Sequence, residues 1–361
     1  MPNTMISVMV PVYNQEHYLA ACLDSLLQQD YSSYEVLLAI DGATDGSLSI
    51  CQKYAAKDPR FIIINHEINR GLSFIRADTL PQARGKYVAL LDPDDVAHPQ
   101  RLSRQIAFFE NNPDVVLLGS YVGVIDGNGK EIGNGIMPTT DIEIRWRLTF
   151  GNCLSCPSLM FRFDAAMNCG GFDGSLLAGE DMEFSSRMLT QGQAAVIPEK
   201  LAYWRTHENN LQKTESAFKK QELVRSVRKS IRRHLDLEVS EELDALVYTH
   251  PAPSQELFEA GIDLLVRAVR LFADKIAVTD IDSSRKLGRI AFISLFELAA
   301  RNRRQLWWPA CENAWLIAAH QIATITGYRW NHDFSLLGEL HPRGFFWKLF
   351  AKTWFKKGGK Q

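Results

Sequence analysis

Several features that mark large classes of proteins are missing from this sequence. Its longest apolar runs, such as residues 8–12 and 115–119, fall far short of the roughly 20 apolar residues of a membrane-spanning helix. The net charge is only −2 at pH 7, so a broad basic surface for nucleic acid is not expected. No basic segment precedes the first apolar run, and we therefore expect no signal peptide and a cytoplasmic protein.

Cysteine and phosphate-binding glycine motifs are also scarce. Only six cysteines occur in 361 residues, which argues against a disulfide-stabilised small domain. Cys153 and Cys156 have the spacing of a zinc-binding pair, but the second pair that a zinc ribbon needs is missing, so we interpret them as structural thiols. Neither Gly-x-Gly-x-x-Gly nor the P-loop motif is present. Any phosphate must be held in another way, and a divalent cation on carboxylates is the natural candidate.

The first half of the chain alternates strand and helix patterns. Hydrophobic residues make up 46% and charged residues 23% of the sequence, as in ordinary globular proteins. The predicted strands are residues 5–12, 36–40, 61–64 and 87–91, with helices at 19–27, 48–56 and 74–83 between them. This alternation predicts an α/β domain with parallel strands joined by right-handed crossovers.

The pattern changes after residue 91 and again after residue 214. Strands are predicted at 115–125, 154–161 and 194–203, and helices at 98–110 and 180–189. Beyond residue 214 the patterns are almost all helical, at 216–235, 240–249, 254–273, 284–303 and 307–326. We therefore predict an α/β domain over residues 1–211, an all-α region over 212–340 and a basic aromatic tail over 341–361.

Acidic residues follow three of the predicted strands at the point where each strand ends. Glu16 lies close behind the first strand, Asp41 ends the second, and the Asp-Pro-Asp-Asp sequence of residues 92–95 follows the fourth. The carboxyl ends of parallel strands form the ligand-binding edge of such sheets. One aspartate there usually caps a helix or a turn, and we leave open whether Asp95 does so. Several carboxylates at one edge indicate a cation or N–H donors among them.

Six motifs follow one another along the first 211 residues. They are Val10-Pro11-Val12-Tyr13-Asn14; Asp41-Gly42-Ala43-Thr44-Asp45-Gly46-Ser47; Asn69-Arg70-Gly71-Leu72-Ser73 with Arg76; Asp92-Pro93-Asp94-Asp95; Gly170-Gly171-Phe172-Asp173 with Gly179-Glu180-Asp181-Met182-Glu183-Phe184; and Tyr203-Trp204-Arg205-Thr206-His207. Together they resemble the family 2 glycosyltransferases, inverting enzymes of the GT-A fold that use nucleotide-diphosphate sugars. The resemblance covers about residues 5–211 and implies a GT-A type domain with a mostly parallel central sheet.

The resemblance implies a role for each matching residue. Asp181 matches the general base, which deprotonates the acceptor hydroxyl, and Glu180 is expected to bind the acceptor or a sugar hydroxyl. Asp94 matches the metal-binding aspartate, with Mn²⁺ or Mg²⁺ as cofactor, and His207 is a second metal ligand or a phosphate contact. The residues expected at the nucleotide are Pro11, Val12, Tyr13, Glu16, Asp41, Arg76, Asp92 and Pro93.

Three positions depart from the family's usual pattern. Ile40 replaces the first of two aspartates at the end of the second strand. Ala77 stands where an asparagine often follows Arg76, and Cys156 replaces the histidine or threonine before Pro-Ser. The last motif also carries one inserted residue, which blurs the match of His207.

The main hypothesis is a metal-dependent hexosyltransferase that moves a sugar from a nucleotide-diphosphate sugar, UDP-sugar favoured, to a glycan or lipid-linked acceptor in bacterial polysaccharide or glycoconjugate synthesis. A sugar nucleotidyltransferase is an alternative, but it needs a glycine-rich basic loop after the first strand. A non-catalytic sugar-nucleotide or glycan-binding module is another, but it has no need of both Asp94 and Asp181.

The last twenty residues carry one arginine and five lysines but no acidic residue. On a helix, Lys348, Lys352 and Lys356 share one edge, whereas the aromatic residues between them lie on another face. This pattern is typical of an amphipathic helix in a membrane interface, here through residues 342–357 at the inner face of the cell membrane. A helix packed on the transferase domain is the equally weighted alternative.

Overall fold

The computed structural model describes residues 5–208, 217–240, 254–276, 281–302 and 308–327. Contacts within the chain divide it into two compact units, Met1–His250 and Pro251–Gln361. Within the described ranges, no helix combines the length and the apolar character needed to cross a membrane.

The first unit is built around one sheet, in which nine strands are described. Their order is β3-β2-β1-β4-β8-β6-β9-β5, and β7 pairs with β6 outside this row. The strands are β1 Ile6–Val12, β2 Tyr34–Asp41, β3 Phe61–His66, β4 Tyr87–Leu90, β5 Val96–Ala97, β6 Val115–Ile125, β7 Glu131–Gly135, β8 Met160–Arg162 and β9 Gln193–Arg205. Every residue of β1 and β2 is buried, as expected for central strands covered on both faces.

Eight helices are described in this unit, and the sequence predicts all of them except those at residues 141–150 and 163–168. They are α1 Leu19–Leu27, α2 Ser47–Lys57, α3 Leu72–Thr79, α4 Arg101–Asn111, α5 Asp141–Phe150, α6 Phe163–Asn168, α7 Glu180–Met188 and α8 Ala217–Leu235. The α/β class is therefore confirmed, and the helix and strand alternation of the first half is found where the apolar spacing placed it.

The sheet is more mixed than the predicted, mostly parallel one. Strands β1 to β4 pair in parallel, but β8 runs antiparallel to both β4 and β6, and β5 runs antiparallel to β9. The strand predicted over residues 154–161 is a 3-10 turn at Cys156–Ser158 followed by the short β8. Pro157 explains the shortening, because proline has no N–H for a ladder.

The chain directions bring four strand ends to one edge of the sheet. Because β8 is antiparallel to both β4 and β6, and β9 is parallel to β6, β9 runs in the same direction as β1, β2 and β4. The segment after β9 therefore emerges beside the loops that follow β1, β2 and β4. Such an edge is where ligands bind in α/β sheets.

Helix α8 belongs to the first unit, which extends beyond the boundary predicted after residue 211. The Ser230 hydroxyl donates to the carbonyl of Leu148 in α5 at 2.7 Å and lies 2.9 Å from the Ser186 hydroxyl in α7. These contacts join α8 to two helices of the first unit.

The described part of the second unit consists of three helices, α9 Gln255–Ile276, α10 Ile281–Asn302 and α11 Trp308–Thr326. They bury apolar residues such as Phe258, Phe272 and Leu295, which confirms the helical patterns predicted at 254–273, 284–303 and 307–326. The helix predicted at 240–249 and the tail of residues 341–361 lie outside the described residues.

Candidate active site

Asp41 ends β2 and holds the loop that follows β3. Its Oδ1 accepts the Arg70 N–H at 2.8 Å and its Oδ2 accepts the Gly71 N–H at 2.9 Å. Gly71, with φ 94° and ψ 160°, lies in a region that only glycine readily occupies, immediately before α3. Asp41 is only 3% exposed and each of its oxygens already accepts one backbone N–H, so the predicted contact with a base N–H stays a prediction.

The segment after β1 is tied to the segment after β2. The Glu16 carboxylate accepts the Gly46 N–H at 2.7 Å, and the Asp45 carboxylate accepts the Glu16 N–H at 3.0 Å. Pro11 and Val12 are buried, whereas the Tyr13 ring is 47% exposed at the edge of the sheet. The Tyr13 ring is thus accessible to a planar ligand, and the Glu16 carboxylate holds the segment after β2. The predicted contacts of these residues with the nucleotide stay predictions.

Asp94 and His207 meet at this edge although they are distant in sequence. His207 Nε2 lies 2.9 Å from Asp94 Oδ2. The short β5 causes this approach, because it pairs with β9 through Val96 and Tyr203 directly after the aspartate loop. Both side chains are largely buried, with 15% of Asp94 and 8% of His207 exposed.

Neighbouring groups support the pair from two sides. The Tyr18 ring contacts the His207 ring, with centroids 4.7 Å apart, and the Arg205 guanidinium lies 4.9 Å from the same Tyr18 ring. Asp95 does not cap the following helix; its Oδ1 accepts the Arg205 N–H at 2.7 Å. Burial raises the pKa of Asp95 well above its usual range.

Arg76 connects the aspartate loop with helix α7. Its Nη1 donates to Glu180 Oε1 at 2.5 Å and its Nη2 donates to Asp92 Oδ1 at 2.7 Å. The same Nη2 lies 3.0 Å from the Cys156 sulfur, and Arg76 is only 2% exposed. Both terminal nitrogens therefore already face carboxylates, and the predicted phosphate or base contact of Arg76 stays a prediction.

Burial and the Arg76 guanidinium act in opposite directions on the pKa values of Glu180 and Asp92. Burial raises the pKa of Glu180, and the Arg76 guanidinium opposes that rise. The same two effects act on the pKa of Asp92. Glu180 is 7% exposed, so its observed partner is a buried cation, and its predicted contact with an acceptor stays a prediction. Pro93, between Asp92 and Asp94, is buried.

Asp181, the predicted base, lies in the first turn of α7. Its Oδ1 accepts the Met182 N–H at 2.8 Å, and its Oδ2 accepts a hydrogen bond from Asn152 Nδ2 at 2.8 Å. Gly179, with φ 73° and ψ 22°, turns the chain into the helix. Asp181 keeps partial exposure, whereas Glu180 before it is buried, so the two neighbours face different surroundings.

The residues present fit a divalent cation. In the described ranges, no group of three or more His, Cys, Asp and Glu side chains is arranged to hold a metal ion. His207 Nε2 and Asp94 Oδ2 are at hydrogen-bond distance, 2.9 Å, so the structure brings together a carboxylate and an imidazole, two side-chain types that bind divalent metals. Mg²⁺ usually takes its other ligands from water and phosphate. The pair therefore suits a cation that a diphosphate also binds.

Two contacts of the site were missed by the sequence reasoning. Asn152 lies in a loop without a motif, and no local signal distinguishes it from other exposed asparagines. Tyr18 lies just before α1, where its ring could have been taken for part of the core. Their partners, Asp181 and His207, are 29 and 189 residues away along the chain, a separation that local patterns do not reveal.

The sequence model described as "Glycosyl transferase family 2" matches residues 7–170. The O-antigen biosynthesis glycosyltransferase WbnJ of Escherichia coli is 30% identical over 222 residues, which cover 59% of this chain and 84% of WbnJ. The chain belongs to glycosyl transferase family 2. Another relative is covered less completely: the uncharacterized glycosyltransferase MJ1057 of Methanocaldococcus jannaschii is 37% identical over 131 residues, 36% of this chain and 45% of that protein. The chain thus spans less than half of the length of such relatives.

Solved structures share the fold of this family 2 chain. Residues 1–349 of TarS from S. aureus, in complex with UDP-GlcNAc, align with a TM-score of 0.56 and 19% identity over 90% of this chain and 93% of that one. The mannosyltransferase PcManGT from Pyrobaculum calidifontis, in complex with GDP-Man and Mn²⁺, aligns with a TM-score of 0.51 and 16% identity over 94% and 87%. These likenesses confirm the predicted GT-A type fold.

Proposed function

We propose that this chain is an inverting, divalent-metal-dependent glycosyltransferase. It transfers a sugar from a nucleoside-diphosphate sugar, with UDP-sugar preferred, to a hydroxyl group of a glycan or lipid-linked acceptor. The observation that carries the proposal is the Arg76 bridge between Asp92 and Glu180. It joins the aspartate loop, where a diphosphate and its cation would bind, to Glu180 at the start of α7. The residue after Glu180 is Asp181, the candidate base.

Residues at the edge of the sheet support binding of a sugar-nucleotide donor. The exposed Tyr13 ring offers a stacking surface, and Asp41 can accept a ring N–H, which both uracil and guanine present. TarS and PcManGT were solved with UDP-GlcNAc and with GDP-Man, which supports a sugar nucleotide and leaves the choice of base to experiment. Asp94 and His207 would hold the cation, which neutralises the charge of the leaving diphosphate when bound.

Asp181 is the residue that would activate the acceptor hydroxyl. Its carboxylate accepts the proton of the acceptor hydroxyl while the hydroxyl oxygen attacks the anomeric carbon. The bond from that carbon to the diphosphate oxygen breaks on the opposite face, and the nucleoside diphosphate leaves with the electron pair. Inversion results because attack and departure occur on opposite faces. WbnJ is an O-antigen biosynthesis glycosyltransferase, which supports an acceptor in polysaccharide synthesis.

The experiment is a panel of UDP- and GDP-sugars with Mn²⁺, in which released nucleoside diphosphate and glycosylated acceptor are both measured. We expect one donor to be consumed by the wild type and not by Asp181→Asn. Asp164→Asn is the matched control. Asp164 lies in the first turn of α6 and accepts the N–H of the next residue, Ala165, at 2.8 Å, as Asp181 does in α7. Donor-induced thermal shift without turnover would instead indicate a binding module, and pyrophosphate release from a nucleoside triphosphate and a sugar phosphate would indicate a nucleotidyltransferase.

A further inference from the structure

The loop between α5 and the Cys156–Ser158 turn contacts both halves of the candidate site. At one end Asn152 donates to Asp181, and at the other the Cys156 sulfur lies 3.0 Å from Arg76 Nη2. Its start is held by α5, whose Leu148 carbonyl accepts the Ser230 hydroxyl of α8. The helix that leads into the loop is therefore held by α8, which carries none of the motifs. The exposed Asn152 of the loop contacts the candidate base.

The orientation of the Asn152 amide is determined by a second hydrogen bond. Asn152 Oδ1 accepts the Leu154 N–H at 3.1 Å, and a backbone N–H can only face an oxygen here. The Nδ2 atom must therefore be the one that faces Asp181, and the usual ambiguity between amide oxygen and nitrogen does not arise. Asp181 Oδ2 thus receives an N–H from a side chain whose own rotation is restricted.

We propose that Asn152 is a positioning residue for the base Asp181. The Met182 N–H holds one carboxylate oxygen and Asn152 holds the other, so the plane of the carboxylate is defined before an acceptor arrives. Orientation of this kind contributes to rate, because a misplacement of about 1 Å can cost about 10²-fold. The proposal rests on the proposed function, since it presupposes that Asp181 is the base.

The test uses the full chain and the variants Asn152→Asp and Asn152→Ala. Asn152→Asp keeps the shape of the side chain and the acceptor for the Leu154 N–H but removes the donor to Asp181 and adds a like charge beside it. Asn152→Ala removes the donor without adding a charge. Asn168→Asp is the matched control, because Asn168 is an exposed asparagine at the end of α6. We expect both Asn152 variants to lower kcat for transfer at least tenfold, with donor KM within twofold and an unchanged thermal midpoint, and the control to match the wild type.

A double variant separates positioning from a general structural effect. If Asn152 acts through Asp181, adding Asn152→Asp to Asp181→Asn causes no further loss of the residual rate. Wild-type kcat in both Asn152 variants while Asp181→Asn is inactive would overturn the proposal and leave the proposed function standing. A loss of kcat that comes with a lower thermal midpoint or a raised donor KM would also overturn it. Full activity of Asp181→Asn would instead overturn the base assignment itself.

Discussion

His207 Nε2 and Asp94 Oδ2 lie 2.9 Å apart although 113 residues separate them in the sequence. The approach depends on the antiparallel pairing of β5 with the end of β9, which brings the closing motif of the chain's first 211 residues to the aspartate loop. The pairing of β9 with both β5 and β6 thus places the candidate metal ligands side by side.

The first prediction concerns this pair. We expect Asp94→Asn to abolish transfer and Mn²⁺-dependent nucleotide binding, because it removes the charged ligand, and His207→Ala to weaken Mn²⁺ affinity about tenfold or more. Free Mn²⁺ is measured by electron paramagnetic resonance during titration in the presence of UDP. His320→Ala, an exposed histidine in the second unit, is the control. Full transfer by Asp94→Asn, or unchanged activity in EDTA, would rule out the metal assignment.

The second prediction concerns Arg76. Arg76→Met leaves the buried Glu180 and the partly exposed Asp92 without their cation. We expect a loss of about 3–5 kcal/mol of the free energy of unfolding, mainly because the Glu180 charge is buried and unpaired, and a loss of most of the activity. Urea denaturation measures the first and the transfer assay the second. Because the destabilisation comes from an unpaired charge, adding Glu180→Gln should restore part of the stability.

A surface ion pair serves as the comparison. Arg104 and Glu199 are 3.9 Å apart and about half exposed, so Arg104→Met should change the free energy of unfolding by only about 0–1 kcal/mol. Equal effects of the two arginine substitutions would contradict the view that Arg76 pairs with the buried carboxylate of Glu180.

The third prediction concerns Gly42, which has φ +65° directly after Asp41. A Cβ atom there would lie 2.3 Å from the Asn69 nitrogen and 2.7 Å from the Ile68 carbonyl carbon. Gly42→Ala must therefore push the 68–71 loop away from Asp41, in addition to about 1–2 kcal/mol of backbone strain. We expect a lower thermal midpoint and weaker UDP binding by calorimetry.

Gly133 is the matched control, because an added Cβ there would meet only Val124 at 3.7 Å. Gly133→Ala should bind UDP as the wild type does. If Gly42→Ala also binds UDP normally, the loop that Asp41 holds is not part of the nucleotide site.

The fourth prediction concerns the basic aromatic tail, whose residues lie outside the described ranges. We expect the full chain to sediment with vesicles of anionic phospholipid, less at high salt because the attraction is screened, and not with neutral vesicles. Truncation after Leu340 should abolish this and leave donor hydrolysis detectable. Unchanged sedimentation of the truncated chain would exclude a membrane anchor, and its insolubility would favour a helix packed on the first unit.

Much of the architecture could be predicted from the sequence because it depends on local patterns. The apolar run of β1 and the periodic leucines of α1 are determined by burial on both faces of a strand and on one face of a helix. The order of the six motifs was sufficient to indicate the family. Asp41 and the 92–95 carboxylates could be placed at one edge, since the ends of parallel strands coincide there.

The tertiary structure alone decided which of these residues touch. Arg76 matched a motif and was assigned to phosphate or base, but its nitrogens face Glu180, 104 residues away, and Asp92. Asn152 matched no motif and yet contacts the candidate base. The mixed strand order has the same origin: β8 inserts between β4 and β6 although local propensity encodes no pairing partner. Side-chain partners depend on the distances between elements, and local patterns determine only the elements.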